Sequence, residues 1–328
     1  MAKALQNGEL VALPTETVYG LAAHALNEKA ARNIFSVKGR PLIDPLIVHV
    51  ADLSMAKSLA QINELATKCA AAFWPGPLTL ILPKLPCVPD VITAGLDTVA
   101  IRVPAHPVFQ AILKTSNLPL AAPSANPFGY ISPSKAEHVV SMLSDRLDHV
   151  VDGGPCTHGV ESTILDLSTD TPTVLRPGPI SPSELQTVLK LEVTSRTSHQ
   201  NEQDQAPQKA AGQLLKHYSP RTPSSLHSTL KPELADPRSK DDAHLNKKCA
   251  FVFISRPSSE LEKSIQSLGH EIFWLSESGD AQEVMKNLYD MLHRLDQKGF
   301  RALFFERAQE SESFSAVRDR MFRACSQG

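Results

Sequence analysis

Two cations flanking a glycine, Lys38-Gly39-Arg40-Pro41, are the clearest chemical signal in the chain. Lysine offers a point charge and arginine a planar fork, and both suit phosphate oxygens. Basic residues also close ordinary helices against their negative end, so the pair gains meaning only if other segments join it. Pro14-Thr15-Glu16-Thr17-Val18-Tyr19-Gly20 places hydroxyls and a carboxylate after the first strand, where a small polar ligand can be met. His49 lies inside the apolar run Leu46–Val50, a setting that more often holds a satisfied core histidine. Arg102 lies inside Ala100–Pro104 and needs an anion, which either a structural carboxylate or a ligand's carboxylate can supply. Ala122-Pro123-Ser124-Ala125-Asn126 ends another strand. Ser132-Pro133-Ser134 then opens a helix whose free N–H groups can take an anion or a simple cap. Gly159–Thr163 and Leu175-Arg176-Pro177-Gly178 complete the set. No Walker A sequence, H-E-x-x-H, G-x-S-x-G or EF-hand loop is present. An enzyme built from these residues works mainly by positioning substrates and neutralising charge.

The elements that must hold these residues fall into two parts. From Gly8 to about Leu191, short β-rich runs recur at Leu10–Leu13, Leu46–Val50, Leu78–Leu82, Thr98–Val103, His149–Asp152, Ser162–Leu167 and Thr173–Leu175. A helix starts near Asn27 and ends at the Lys38 cluster. Residues 54–73 set Leu59, Ile62, Leu65, Cys69 and Phe73 on one helical face. Ser181-Pro182-Ser183-Glu184 reads as a capping box with proline at the first helical position. Many strands and few helices predict an α+β arrangement, a twisted sheet with helices packed against it. Thr194–Gln213 has no large apolar residue, so it reads as a linker that buries no core. The island Leu214–Pro220 follows, and a second polar stretch runs to about Lys248. An apolar island inside a linker either docks onto something or forms a surface turn. Beyond it, strands at Cys249–Ile254, Glu271–Leu275 and Phe300–Glu306 alternate with helices at Ser258–Leu268, Asp280–Gln297 and Glu312–Ala324. That order predicts a small parallel, three-layer α/β domain, and no G-x-G-x-x-G supports dinucleotide binding there.

Composition bounds the function. The chain has 328 residues with 42% hydrophobic and 21% charged content, enough for about two domains with buried cores. A formal net charge of -2 gives no global field for non-specific nucleic-acid binding, so phosphate recognition must be local. Five cysteines without C-x-x-C spacing point to reduced thiols rather than disulfides or zinc, and no protein-ligated metal site is expected. The N-terminus lacks a signal-peptide core and no apolar run reaches membrane-spanning length, so the expectation is a cytoplasmic protein without membrane contact.

In order, the segments PTETVYGL, KGRPLIDPLIVHV, FWPGPLTLIL, DTVAIRVPAHP, APSANPFGYISPS, VESTILDL, LRPGPIS and KHYSPRTP resemble the YrdC family. The closer likeness is to the long, two-domain threonylcarbamoyl-AMP synthases, over about Gly8 to Pro223. The resemblance implies an α/β fold with a twisted, open mixed sheet around a concave, positively charged cavity. It divides the chain into a catalytic domain at 1–192, a linker at 193–247 folding back over the active site, and a Rossmann-like domain at 248–328. The implied chemistry joins L-threonine, bicarbonate or CO2, and ATP into threonylcarbamoyl-AMP with release of pyrophosphate. A partner transferase then carries the group to adenosine beside the tRNA anticodon. Mg²⁺ is implied as cofactor, held mainly by ATP phosphates and water.

The resemblance places Lys38 and Arg40 on the triphosphate as the catalytic pair. Asp44, Thr98, Asn126, Ser134 and Arg176 fall on the ATP side, and Tyr218 matches a linker tyrosine that covers ATP. Thr17, His49, Arg102, Ser124 and Ser162 match positions around threonine. At Asp44 a neutral Asn is expected from many relatives. An acid near phosphates is repulsive unless a metal bridges them. Ser313–Val317 lacks the glycines of the long form. Two other readings remain: a non-catalytic RNA or nucleotide binding module, with weak RNA binding among the expected contacts, and a carbamoyl transferase of metallocentre maturation. The absence of zinc-finger cysteine spacing opposes the second.

Overall fold

The computed structural model describes residues 1–195, 208–212, 217–235 and 248–326. The chain divides into one compact unit of residues 1–128 and 132–214 and another of 129–131 and 215–328.

The first unit is built on a mixed nine-stranded sheet. Its strands are β1 (Val11–Leu13), β2 (Gly20–His24), β3 (Ile47–His49), β4 (Leu78–Pro83), β5 (Thr98–Arg102), β6 (Leu120–Ala121), β7 (Thr163–Asp166), β8 (Thr173–Arg176) and β9 (Thr194–Ser195). They lie in the order β1-β2-β6-β3-β5-β4-β7-β8-β9. Pairs β3/β5, β4/β7 and β8/β9 are parallel and the others antiparallel. Eight helices accompany it among the described residues: α1 (Ala2–Gln6), α2 (Glu28–Lys38), α3 (Leu53–Lys57), α4 (Glu64–Phe73), α5 (Asp90–Thr93), α6 (Pro107–Ser116), α7 (Ala136–Leu143) and α8 (Pro182–Leu189).

Strand alternation decides what each face does. Leu21, Ala23, Val48, Leu80, Val99, Ile101, Ala121 and Leu165 point to one face. There they form the main core with Ile34 and Phe35 of α2, Cys69 of α4, Ile92 of α5, Leu143 of α7 and Leu185 of α8. On the other face, Val11, Leu13, Ala22 and Leu120 pack on Leu5 of α1 and on Phe109 and Leu113 of α6. Those two helices cover the β1-β2-β6 end. Over β3, β5, β4 and β7 the same face carries Ile47, Ala100, Ile81 and Ile164, capped by Ala210 and Ala211 rather than by a helix.

Several expectations are corrected here. The single helical face over 54–73 is split into α3 and α4, with Ala60 between them bridging to Lys84. His149–Asp152 forms no strand of its own; Val150 makes one bridge to Ala12. Strand β2 and the eight helices exceed the element count read from the sequence. Within the polar stretch, Gln208, Ala210 and Ala211 are buried, because alanines suffice where the floor is apolar and close.

The second unit holds a parallel sheet in the order β10-β13-β11-β12. Its strands are β10 (Ser224–His227), β11 (Ala250–Ser255), β12 (Glu271–Ser276) and β13 (Leu303–Glu306). Three of these match predicted strands. β10 lies in the stretch taken as polar linker, with only Leu226 as an apolar residue. Phe251, Phe253 and Phe304 face Ile265 of α9 (Ser259–Ser267). Helices α10 (Ala281–Asp296) and α11 (Ser315–Cys325) pack on each other and against β12 and β10 respectively. Helices α9 and α10 start at side-chain caps, Ser258 and Asp280.

The predicted capping box of α8 is present in full. Ser181 Oγ accepts the Glu184 N–H at 3.3 Å, and the Glu184 carboxylate accepts the Ser181 N–H at 2.8 Å. Replacing Ser181 by Ala should cost about 1 kcal/mol of first-unit stability, seen as an earlier denaturation midpoint of the full chain with unchanged slope.

Candidate active site

Helix α2 delivers the first cation. Asn27 caps its start, and Gly39 ends it in the left-handed region at φ 63°, where a Cβ is penalised. This turn leaves Lys38 in the last helical turn and sends Arg40 back toward the sheet. Both are buried, Lys38 to 3% exposure. The Lys38 ammonium donates to the backbone carbonyls of Ser124 and Asn126. Burial, with Arg40 nearby, pushes its pKa well below the lysine range, while Asp44 and Glu161 pull it back. Arg40 donates to the carbonyls of Asp44 and Pro45 at 3.0 and 2.8 Å and pairs with the Asp44 carboxylate at 2.9 Å. The acid that seemed repulsive to phosphate is therefore neutralised inside the protein. Burial raises the Asp44 pKa; Arg40, the Gly212 N–H, Lys38 and Arg176 oppose that rise.

Arg176 ends β8. Its guanidinium donates to the Ser162 carbonyl and hydroxyl and to the Ala211 carbonyl, at 3.0 to 3.2 Å. The Ser162 hydroxyl also shares a 2.8 Å hydrogen bond with Thr79. Gly178 makes this approach possible. A Cβ there would sit 2.3 Å from the Thr163 nitrogen and 2.8 Å from the Glu161 carbonyl oxygen.

Arg102 ends β5 on the same face. It donates to Glu16 at 2.6 Å, Thr17 at 2.9 Å and the Gly76 carbonyl at 3.1 Å. Its structural anion is thus Glu16, 86 positions away along the chain and absent from the expected threonine set. Three of its five N–H groups are occupied among the described residues, leaving two that can pair with a ligand carboxylate. His49 lies opposite Arg102 in the β3–β5 register. Burial, reinforced by Arg102, drives its pKa down to about 3, so the ring is neutral. It rests on Phe109 with centroids 5.1 Å apart.

The remaining expected residues divide. Ser124 and Asn126 join the site through the carbonyls that hold Lys38. Ser134 is buried and lies two residues ahead of α7, so it does not open that helix as predicted. Its N–H and hydroxyl face His138 Nδ1 at 3.3 and 3.5 Å. Thr98 starts β5, opposite Pro83 and at the far end of the strand from Arg102. Tyr218 belongs to the second unit, where it is 1% exposed and packs against His217, Tyr289 and the Arg320 guanidinium.

Residues 208–212, within the stretch expected to fold back over the site, lie on this face through contacts the sequence does not specify. The Gln208 N–H donates to the Ile43 carbonyl at 2.9 Å, Lys209 pairs with Asp166 at 2.6 Å, and Ala210–Ala211 cover the apolar strip. Glu16, Thr79, Glu161 and Asp166 were also unassigned. Glu161 accepts a 2.6 Å hydrogen bond from Ser132 and raises the local demand for the Lys38 charge. The carboxylates on this face are thus paired with a cation or a hydroxyl. That donor set suits a metal ion carried by phosphates and water better than a protein cage.

Buried cations, a neutral His49 and hydroxyls at these strand and helix ends are groups suited to handling anions. Residues 3–178 match the Sua5, YciO and YrdC family model, described as telomere recombination, and residues 180–326 match the model described as threonylcarbamoyl-AMP synthase, C-terminal domain. The threonylcarbamoyl-AMP synthase of Pyrococcus abyssi is 37% identical over 98% of this chain and 91% of its own length. That of Schizosaccharomyces pombe is 34% identical over 96% and 85%. That of Bacillus subtilis reaches 47% over 69% and 65%. The crystal structure of P. abyssi Sua5 complexed with L-threonine superposes with a TM-score of 0.87 at 36% identity, covering 99% of this chain and 92% of that one. The chain belongs to the threonylcarbamoyl-AMP synthase family, in its two-domain form. It is an enzyme that makes threonylcarbamoyl-AMP for tRNA modification. Among the described residues, no helix is long and apolar enough to cross a membrane.

The neutral His49 has a consequence for stability. Between pH 6.5 and about 3 the unfolded ring binds a proton that the native ring refuses, so this residue makes stability fall as pH falls through that window. In denaturation series from pH 7 to pH 4, His49→Gln should lose less stability than the native chain; equal slopes would contradict the buried, neutral ring.

Proposed function

We propose that this face binds ATP and L-threonine together, with Lys38, Arg40 and Arg176 on the phosphates and Arg102 on the threonine carboxylate. The single observation supporting this most strongly is that three buried cations, Lys38, Arg40 and Arg176, all act on the one Asp44 carboxylate, with Arg102 buried at the end of β5. Each is held in place by backbone or side-chain oxygens. A triphosphate and a carboxylate match these cations in charge and in hydrogen-bonding geometry. Asn126 and Ser134 line the ATP side, and Thr98 is assigned there by family likeness alone. Thr17, Ser124, Ser162 and neutral His49 supply hydrogen bonds around the amino acid. Asp44 serves the ATP side indirectly, by holding Arg40. Tyr218 is assigned to cover ATP by likeness to the family linker.

In the proposed chemistry, the threonine nitrogen forms a C–N bond with bicarbonate-derived CO2, losing a proton and giving a carbamate. A carbamate oxygen then forms a bond to the ATP α-phosphorus, and the bond to the bridging oxygen breaks. Pyrophosphate leaves with the electron pair. Lys38 and Arg40 hold charge that builds on the phosphate oxygens, a type of contribution worth about 10²–10³ in rate per donor. Mg²⁺, held mainly by the ATP phosphates and water, would supply charge neutralisation for the leaving pyrophosphate. The product passes to a downstream threonylcarbamoyl transferase acting on tRNA, and a cytoplasmic setting fits reduced cysteines.

Lys38 is suited to this role because its burial is tolerable only while oxygens surround it. An arriving triphosphate would raise its pKa again. Lys38→Met, which keeps most of the side-chain volume, should reduce threonine-dependent pyrophosphate release from ATP, Mg²⁺ and bicarbonate by about 10²-fold or more, with a melting temperature close to native. A native chain that releases pyrophosphate equally with and without L-threonine would refute the reaction, and a fully active Lys38→Met would refute the phosphate assignment.

A further inference from the structure

Beside Arg102, two buried polar atoms accept no hydrogen bond of normal geometry among the described residues: Oε2 of Glu16 and Nδ1 of His49. Glu16 is 6% exposed, and its other oxygen is fixed by Arg102 at 2.6 Å. Its backbone is fixed too, since its carbonyl accepts the His158 N–H at 2.8 Å and the Thr157 hydroxyl at 3.3 Å. The side chain therefore has little freedom to carry Oε2 to water. Burial acts to raise its pKa, but Arg102 and the N–H groups of Glu16 and Ala105 outweigh it and keep the carboxyl ionised. The ionisable neighbours are Arg102, neutral His49, His158, whose pKa burial lowers, and Cys156, whose thiol burial pushes up to about 12. None of the three besides Arg102 brings a positive charge to Oε2 at neutral pH.

A fixed carboxylate with one bare oxygen, beside an arginine with two unfilled N–H groups, matches the two ends of a zwitterion. We propose that Glu16 Oε2 receives a hydrogen-bond donor of the amino-acid substrate, its ammonium or its hydroxyl, and so helps select that substrate. The arginine takes the acid end and the glutamate the donor end. One carboxylate thereby both orients Arg102 and reads the ligand. This inference rests on the reading that L-threonine binds this face. A site that hydrogen-bonds a substrate group rejects analogues lacking it far more strongly than a hydrophobic pocket does.

The test is calorimetric binding of L-threonine, L-2-aminobutyrate and ATP to the full chain, native and Glu16→Gln. The substitution keeps shape and removes charge. The expected result is at least tenfold weaker threonine binding with ATP affinity within about twofold of native. Equal weakening for 2-aminobutyrate, which lacks the hydroxyl, assigns the contact to the ammonium; weakening for threonine alone assigns it to the hydroxyl. Unchanged threonine affinity, or parallel loss of ATP affinity, overturns the proposal. A native chain that binds no threonine removes the underlying reading instead. Should Glu16→Gln lose cooperative unfolding, a crystal structure of the native chain with L-threonine decides. A ligand nitrogen or hydroxyl within about 3.2 Å of Oε2 supports the contact; every ligand polar atom beyond about 4 Å defeats it.

Discussion

Burying positive charge inside the protein is the constraint around which the first unit is organised. A cation removed from water is tolerable only if oxygens replace its hydration. Each of the four cations meets that demand differently. Lys38 uses the carbonyls of Ser124 and Asn126, Arg40 uses Asp44, Arg176 uses Ser162 and Ala211, and Arg102 uses Glu16. Two of these partners, Asp44 and Glu16, carry a full negative charge, and the others are neutral oxygens, so no cation is held bare.

The sheet topology follows from the same constraint. Helices α2, α4, α5, α7 and α8 supply one continuous core layer, which frees part of the other face. There α1 and α6 cover only the β1-β2-β6 end. The strands left open are β3, β5, β4, β7 and β8, and their ends carry His49, Arg102, Thr79, Ser162 and Arg176. Residues separated widely along the chain meet because parallel and antiparallel neighbours bring their ends to one edge. Arg102 and Glu16 are 86 positions apart and still form a 2.6 Å pair.

Much of this was legible in the sequence, for identifiable reasons. The central strands are rich in Val, Ile and Leu, so their alternation is strong. β2 was missed because Gly20-Leu21-Ala22-Ala23-His24 has small residues where strands usually carry β-branched or aromatic ones. β6 is two residues long and gives no period to detect. Residues 54–73 kept a helical rhythm across a break because α3 and α4 both feed the same core. In the site, the cations were recognisable one by one, since an arginine in an apolar strand advertises a need. Their partners were not, because pairing is a tertiary fact. Glu16 was visible as a carboxylate between two threonines, but nothing local tied it to Arg102 rather than to solvent.

The linker shows most plainly where composition misleads. A segment without large apolar residues cannot build a core, yet it can finish one that is already nearly closed. Among the described residues, the strip of Ile47, Ala100, Ile81 and Ile164 has no helix over it, and small side chains let the backbone come close enough to bond. Ala210 and Ala211 meet both needs. They cover the strip while the Ala211 carbonyl accepts from Arg176 and the Gly212 N–H faces Asp44. Larger apolar residues here would add buried area but lift the backbone away from those two charges. Low hydrophobicity in this segment is thus a consequence of its position over the cations: the polar backbone, rather than the side chains, supplies most of what the face requires.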